Sequence, residues 1–484
     1  MPAQPRQKRA VSIALAVLLI LAVFIYHGSN TWQAEGPVLS APAVPEVAGL
    51  VPAVYDIDVM LDPHTGTVVG SSRVEYTNNQ EVSLPEIYFH LYPNAAVFSQ
   101  DVKRPGRLEV TAVGTDSGQL LYAMEGTLLK IELASELSPG EQIVLNLNWE
   151  LTVPDYPGRL GENDGVISLG NWYPVLAVYD AAGWHLDPYY ELGDPFYSEV
   201  GRYRVKLTLP NNYKVAATGN LTARRRLPEQ QKELVWDTSL VRDFAMAVSD
   251  DYAALEQQVD KTLVRSVFLR GDKAGGQRVL KTGAEAVEFF NGAFGPYPYD
   301  QLTLAATGFY QGGMEYPNIV FLARQFYGLE DADVLDYIAV HETAHQWWYG
   351  VVGNNQIEEA WLDEGLTEFS TILFYEQVRG RGQEEARSLI SLYQAYQQAN
   401  GDGKILRPLN EFPGELAYTA LVYGKGCLLF LQLREEIGEE LLLQVLQTYY
   451  RRFAYKNATG EDLIQLTEEV SGRDLNSFFQ EWLH

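Results

Sequence analysis

His341-Glu342-Thr343-Ala344-His345 is followed, after eighteen intervening residues, by Glu364 within Trp361-Leu362-Asp363-Glu364-Gly365. An α-helix advances about 100° per residue, so histidines four apart stand one turn above each other and two imidazoles can reach one ion. Glu342 lies one step round the helix, beside the metal position, where it can accept a proton from a water held there. Val334, Leu335, Ile338 and Trp348 supply apolar positions at spacings of three and four, and Gly350 and Gly353 follow, so the pentad is expected on a helix. A catalytic zinc commonly takes three protein ligands and keeps one open position. Glu364 is expected as the third, because eighteen residues suffice to end one helix, turn and start a second beside it. Leu362, Leu366, Phe369 and Leu373 give that second helix a buried face. Glu368, one turn after Glu364, is expected to accept the free ring N–H of a ligand histidine, with Asp363 the weaker candidate. The five-residue pattern alone also arises by chance on helices rich in Glu and His. Only seven histidines occur in the chain, however, and two of them fall in the pentad with a correctly spaced acid behind.

Two further segments stand in order around this core: Gly312-Gly313-Met314-Glu315-Tyr316 upstream and Tyr423-Gly424-Lys425-Gly426 downstream. Together the four motifs resemble the gluzincin aminopeptidases of the aminopeptidase N type, which carry Gly-x-Met-Glu-Asn and Tyr-x-Lys-Gly at those places. The resemblance runs from about Tyr55 to the C-terminus. It implies a saddle-shaped β-domain followed by a thermolysin-like α/β domain, mostly helical, and one zinc per chain held by His341, His345 and Glu364. It also implies that Glu342 is the general base, that the Tyr423 phenol stabilises the oxyanion, and that Glu315, within Gly312-Gly313-Met314-Glu315, binds the free α-amino group of a peptide. Tyr316 departs from the family's Asn, which puts the detail of amine capture in question. Many relatives continue into a large helical C-terminal domain, and nothing here corresponds to it, so a short form is expected.

Length and composition agree with this reading. The 484 residues allow two domains with their own cores, and 46% hydrophobic with 12% aromatic residues is a globular composition. A net charge of −27 argues against nucleic acid, whose phosphates would be repelled. Cys427 is the only cysteine, which excludes an intrachain disulfide, and its apolar surroundings suggest helix packing.

At the start, Arg6, Lys8 and Arg9 precede the apolar run Val11–Tyr26. Residues 1–30 therefore read as a signal anchor or a signal peptide, leaving the remainder extracytoplasmic, membrane-tethered if uncleaved and secreted if cleaved. Residues 31–47, with Pro and Ala, read as a stalk. From 48 to 255, short alternating runs separated by turn residues predict an antiparallel β-domain, open or sandwich-like, with strands such as 55–61, 68–76, 142–151 and 202–209. The aromatic segment Asn171–Tyr189 is compatible with packing or with a cleft wall, and His64, His90 and His185 lack metal-like spacing. Residues 256–484 are expected as the catalytic domain, opening with strand 262–269 and helix 277–290 and helical nearly throughout after Glu364.

The expected activity is zinc-dependent hydrolysis of the N-terminal peptide bond of peptides. An endopeptidase or other zinc hydrolase is the alternative within enzymes. A non-catalytic protein-binding module on the same fold is the alternative outside them. Side-chain preference and oligomeric state are not legible in the sequence.

Overall fold

The computed structural model describes residues 35, 37–41, 45–329 and 333–484. The apolar run at Val11–Tyr26 lies outside the described residues. The described part of the expected stalk lies against the β-rich half: Leu39 N donates to Leu221 O at 2.7 Å, and Asn220 Nδ2 donates to Ser40 O at 3.0 Å. Backbone groups left over at the sheet edge take up the passing chain.

The strand Ala53–Asp62 shows why the first half is a sheet: from Tyr55 onward its residues alternate strictly between buried and exposed. It sits in an eight-stranded sheet, in the order Asn220–Arg226, Gln231–Asp237, Gly201–Pro210, Ala53–Asp62, Thr67–Thr77, Gln142–Thr152, Arg107–Thr115 and Gly118–Gln119. The pairs along this sheet are antiparallel except one. Ala53–Asp62 and Gly201–Pro210 run parallel, with Tyr55 opposite Tyr203 and their rings stacked 4.6 Å apart. Strands so far apart in sequence need no hairpin, so nothing forces them antiparallel. Two four-stranded sheets and one two-stranded sheet complete this half among the described residues. Trp149, Trp172 and Tyr173 are fully buried with edge-on ring contacts, so the start of the aromatic segment after Asn171 packs as core, while Trp184 and Tyr189 are half-buried.

Tyr252–Val259, a strand not foreseen from the pattern, opens a five-stranded mixed sheet. Its order is Tyr252–Val259, Thr262–Leu269, Gln301–Thr307, Ile319–Ala323 and, at the edge, Gly313–Met314. The helix Lys273–Ala293 makes the crossover between the parallel strands Thr262–Leu269 and Gln301–Thr307. Helices Asp333–Ala344 and Ala360–Phe374 follow, and every residue of the second is buried, Asp363, Glu364 and Glu368 among its apolar and small side chains. Helices Gly382–Asn400, Glu439–Phe453, Gly460–Ser471 and Asn476–Leu483 surround them. Between them, Glu415–Ile437 is continuous but changes to i→i+5 bonding over Thr419–Lys425, the stretch that carries Tyr423. By length and hydropathy it is the one described helix able to cross a membrane, yet 67% of its most apolar window is buried inside the protein, as a core helix would be.

Candidate metal centre and cleft

His341 lies in the last turn of the helix Asp333–Ala344 and His345 directly follows it, its N still donating to His341 O at 3.2 Å. Their Nε2 atoms lie 3.1 Å apart, and each is 3.2 Å from Glu364 Oε2. Three such atoms can hold one metal ion, and all three residues are buried. A tetrahedral ion with bonds of about 2.0 Å separates its ligands by about 3.3 Å, so the triangle has the right size for zinc.

The outer contacts decide which nitrogen faces the ion. His345 Nδ1 lies 2.9 Å from Asp363 Oδ1, whose other oxygen accepts from Gln356 Nε2 at 2.6 Å. The Nδ1–H therefore points to Asp363 and leaves the Nε2 lone pair facing the centre. Around His341 the nearest carboxylate is Glu368, with Oε1 3.5 Å from an Nδ1 that makes no hydrogen bond and Oε2 accepting from the Tyr337 hydroxyl. The sequence reading ranked Glu368 above Asp363 as histidine partner; in the structure each carboxylate faces a different histidine and Asp363 makes the shorter contact. Asp363 directly precedes the candidate ligand Glu364, and only the rotation of the whole helix brings it against His345.

Electrostatics calls for a cation here. Burial opposes charging of both imidazoles, yet the carboxylates of Glu368 and Glu364 at His341, and of Asp363 and Glu315 at His345, outweigh it and raise both. Burial likewise opposes ionisation of Glu364, but His345 and His341 hold its carboxyl far below the usual range. Carboxylates thus crowd the centre, and a dication would neutralise them. The donor chemistry and spacing fit zinc.

Glu342 is 6% exposed and its Oε2 has no hydrogen-bond partner. Burial pushes its carboxyl up to about 7. It lies flat against Gly313, where a Cβ would stand 2.4 Å from Glu342 Cγ and Oε1. Glu315 is 3% exposed with Oε1 also unpartnered, and burial followed by the nearby Asp194 carboxylate drives its pKa well up. Met314 pairs with Phe321 on the sheet edge, and Gly312 carries the turn with a φ of 118° that disfavours a side chain. Tyr423 Oη donates to Glu364 Oε1 at 2.6 Å, and its ring stacks on that of His341 at 6.0 Å. All the site residues expected from the sequence therefore meet at one place.

Others were not anticipated. Arg159 and Asp194, from the β-rich half, pair at 2.8 Å and help line a cavity of about 310 Å³ that also reaches Gly313, Tyr418 and Tyr423. Arg242 donates to Tyr349 O at 2.6 Å and to Lys456 O at 2.7 Å. It braces the turn after the metal helix, where Tyr349 has the strained φ of 104°. No local pattern marks these residues, since their partners lie far away in sequence.

Fold and centre together define a two-domain gluzincin-type metallopeptidase architecture. Residues 278–482 match the Peptidase family M1 domain. Aminopeptidase N of Lactococcus lactis subsp. lactis is 27% identical over 221 residues, which is 42% of this chain and 26% of that protein. Aminopeptidase N of Streptomyces lividans is 27% identical over 209 residues, 40% of this chain and 24% of the relative. The M1 zinc metallopeptidase of Deinococcus radiodurans superposes with a TM-score of 0.69 at 18% identity, covering 93% of this chain and 97% of that one. A mutant of the Deinococcus enzyme, solved with a Tyr-Ser-Ala substrate, gives 0.68 at 18% identity over 90% and 94%. Over residues 278–482 the chain is thus similar to peptidase family M1 and to aminopeptidases N. The match spans about a quarter of the curated relatives' length, 26% in the first case.

Proposed function

We propose that this chain is a zinc-dependent aminopeptidase that hydrolyses the first peptide bond of peptides, with one zinc held by His341, His345 and Glu364. The unpartnered, buried carboxylate of Glu315 beside the ligand triangle carries the reading. A buried carboxylate without a partner is costly unless a cation arrives, and the α-ammonium of a peptide is such a cation. Anchored there, the chain end would bring its first carbonyl over the metal position.

Zinc, when bound, supplies Lewis acidity that polarises the scissile carbonyl and acidifies water. Glu342 then takes the proton from the attacking water on its free Oε2 and passes it to the leaving nitrogen. Burial raises its pKa and so favours its taking up the proton. Tyr423, resting on Glu364 through its hydroxyl, is close enough to turn that O–H toward the developing oxyanion. Met314 and the two glycines form the strand edge along which the substrate backbone would lie. In this reading the β-domain expected at 48–255 closes one side of the cleft and the catalytic domain expected at 256–484 starts a few residues earlier, at the strand Tyr252–Val259 that joins its sheet. Export follows from the apolar segment at Val11–Tyr26, with the catalytic part outside the cytoplasm.

The test compares a peptide with its N-acetylated twin. Cleavage of the free-amine form alone, lost in Glu315→Ala, is the expected result; equal cleavage of both would replace the aminopeptidase by an endopeptidase.

A further inference from the structure

We infer that Tyr316, Asn171 and Asp243 form a positioning relay through which the β-rich half sets the place of Glu315. The Tyr316 hydroxyl donates to Asn171 Oδ1 at 3.0 Å. Asn171 Nδ2 in turn donates to Asp243 Oδ2 at 2.7 Å. Asp243 Oδ1 accepts from the Tyr173 hydroxyl and from Phe244 N, both at 2.6 Å. All of these side chains are buried. A carboxylate only accepts, so Asp243 compels the Asn171 amide to face it with nitrogen. The amide oxygen is left toward Tyr316, and the phenol has one direction in which to donate. A fully satisfied buried network of this kind has a single geometry.

The backbone is shaped around the phenol. At Gly170 a Cβ would stand 1.9 Å from Tyr316 Oη, so no side chain at 170 is compatible with the ring where it lies. Asn171 adopts the left-handed φ of 50°, which Asn tolerates better than most residues.

From the opposite side the same turn is held by the metal helix. Gln346, the residue after His345, donates to Glu315 O at 3.2 Å and to Tyr316 O at 3.3 Å. Its Oε1 accepts from Asn318 N at 3.0 Å. The turn Glu315–Asn318 is thus clamped between Gln346 and the Asn171–Asp243 pair. Because Glu315 Oε1 has no partner of its own, these backbone anchors decide where the carboxylate stands. Tyr316 therefore acts as a positioning residue for substrate binding through Glu315, a role that rests on the aminopeptidase reading above.

Tyr316→Phe isolates the relay, because the ring keeps its packing against Phe321, 5.1 Å away, and loses only the hydroxyl. With zinc-loaded enzyme and leucine p-nitroanilide, KM should rise about tenfold with kcat within about twofold, as for an interaction that serves binding alone. The inhibition constant of acetohydroxamate, which addresses the metal and has no amine, should stay unchanged. Asn171→Gly, which keeps the left-handed backbone and removes the relay from its other end, should reproduce the effect, and the double variant should be no worse than the stronger single one. Lowered melting temperatures with KM unchanged, or KM and the acetohydroxamate constant rising together, would show a merely structural contact and overturn the relay. A wild-type enzyme inactive on every unblocked peptide would instead overturn the aminopeptidase reading and this role with it.

Discussion

Adding one methyl group at Gly313 should disable Glu342 without touching the metal ligands. The Cβ of Gly313→Ala would lie 2.4 Å from Glu342 Cγ and Oε1 and 2.5 Å from Cδ. An ordinary contact needs about 3.5 Å, so either the carboxylate or the strand edge must give way by about 1 Å. The strand edge is held by the pairing of Gly313 with Leu322, and Gly313 has no left-handed backbone that alanine would strain. The carboxylate is therefore the part that moves. A shift of about 1 Å in a positioned catalytic group costs about 10²-fold in rate, so kcat should fall by about that factor. The three atoms nearest the new methyl all belong to Glu342 and none to His341, His345 or Glu364, so metal content measured by mass spectrometry should stay at one equivalent. The assay is steady-state hydrolysis of leucine p-nitroanilide alongside a thermal melt. An alanine variant with wild-type kcat would refute the claim that this glycine is required by the carboxylate lying on it.

Glu342→Gln keeps the size of the side chain and removes its basicity; turnover should drop by about 10²–10⁴ with zinc still bound, measured by hydrolysis and by metal analysis on one sample. Asp363→Asn should weaken zinc by about 10- to 100-fold, read by competition with a chelator, because His345 loses the carboxylate that holds its tautomer. Burial lowers His90 to about 4, against an ordinary value of 6.5, while its Nε2 meets His185 O at 3.1 Å. The unfolded chain then binds the extra proton first, so this contribution to stability is complete above pH 6.5 and is lost as the pH falls toward 4. In His90→Phe, denaturant midpoints compared at pH 7.5 and 4.5 should fall less steeply than in the wild type.

What the sequence could determine was whatever repeats with the period of one element or lies in one short segment. The four-residue interval from His341 to His345 places both rings on one helix face whatever surrounds it. The eighteen-residue gap to Glu364 leaves room for a helical hairpin. The alternation in Ala53–Asp62 shows a half-buried strand before any partner is known. Strand and helix patterns of this kind carry most of the fold, since burial of one face is a local periodic demand. The strands Tyr252–Val259 and Met246–Ser249 escaped because their sides do not alternate cleanly between buried and exposed.

Tertiary structure decided the rest. Which carboxylate serves which histidine depends on the rotation of the helix Ala360–Phe374 about its axis, and packing on all its sides sets that angle. The unpartnered state of Glu315 Oε1 and Glu342 Oε2 is a property of the enclosure, not of either residue. Asn171 meets Tyr316 across 145 positions of sequence, and Arg242 meets Tyr349 across 107. Such contacts obey no period, because they follow from where two separately folded layers come to rest against each other. The Gly170 and Tyr316 pairing shows the physical reason: the space one residue leaves empty is filled by another from a different layer, and neither sequence neighbourhood records it.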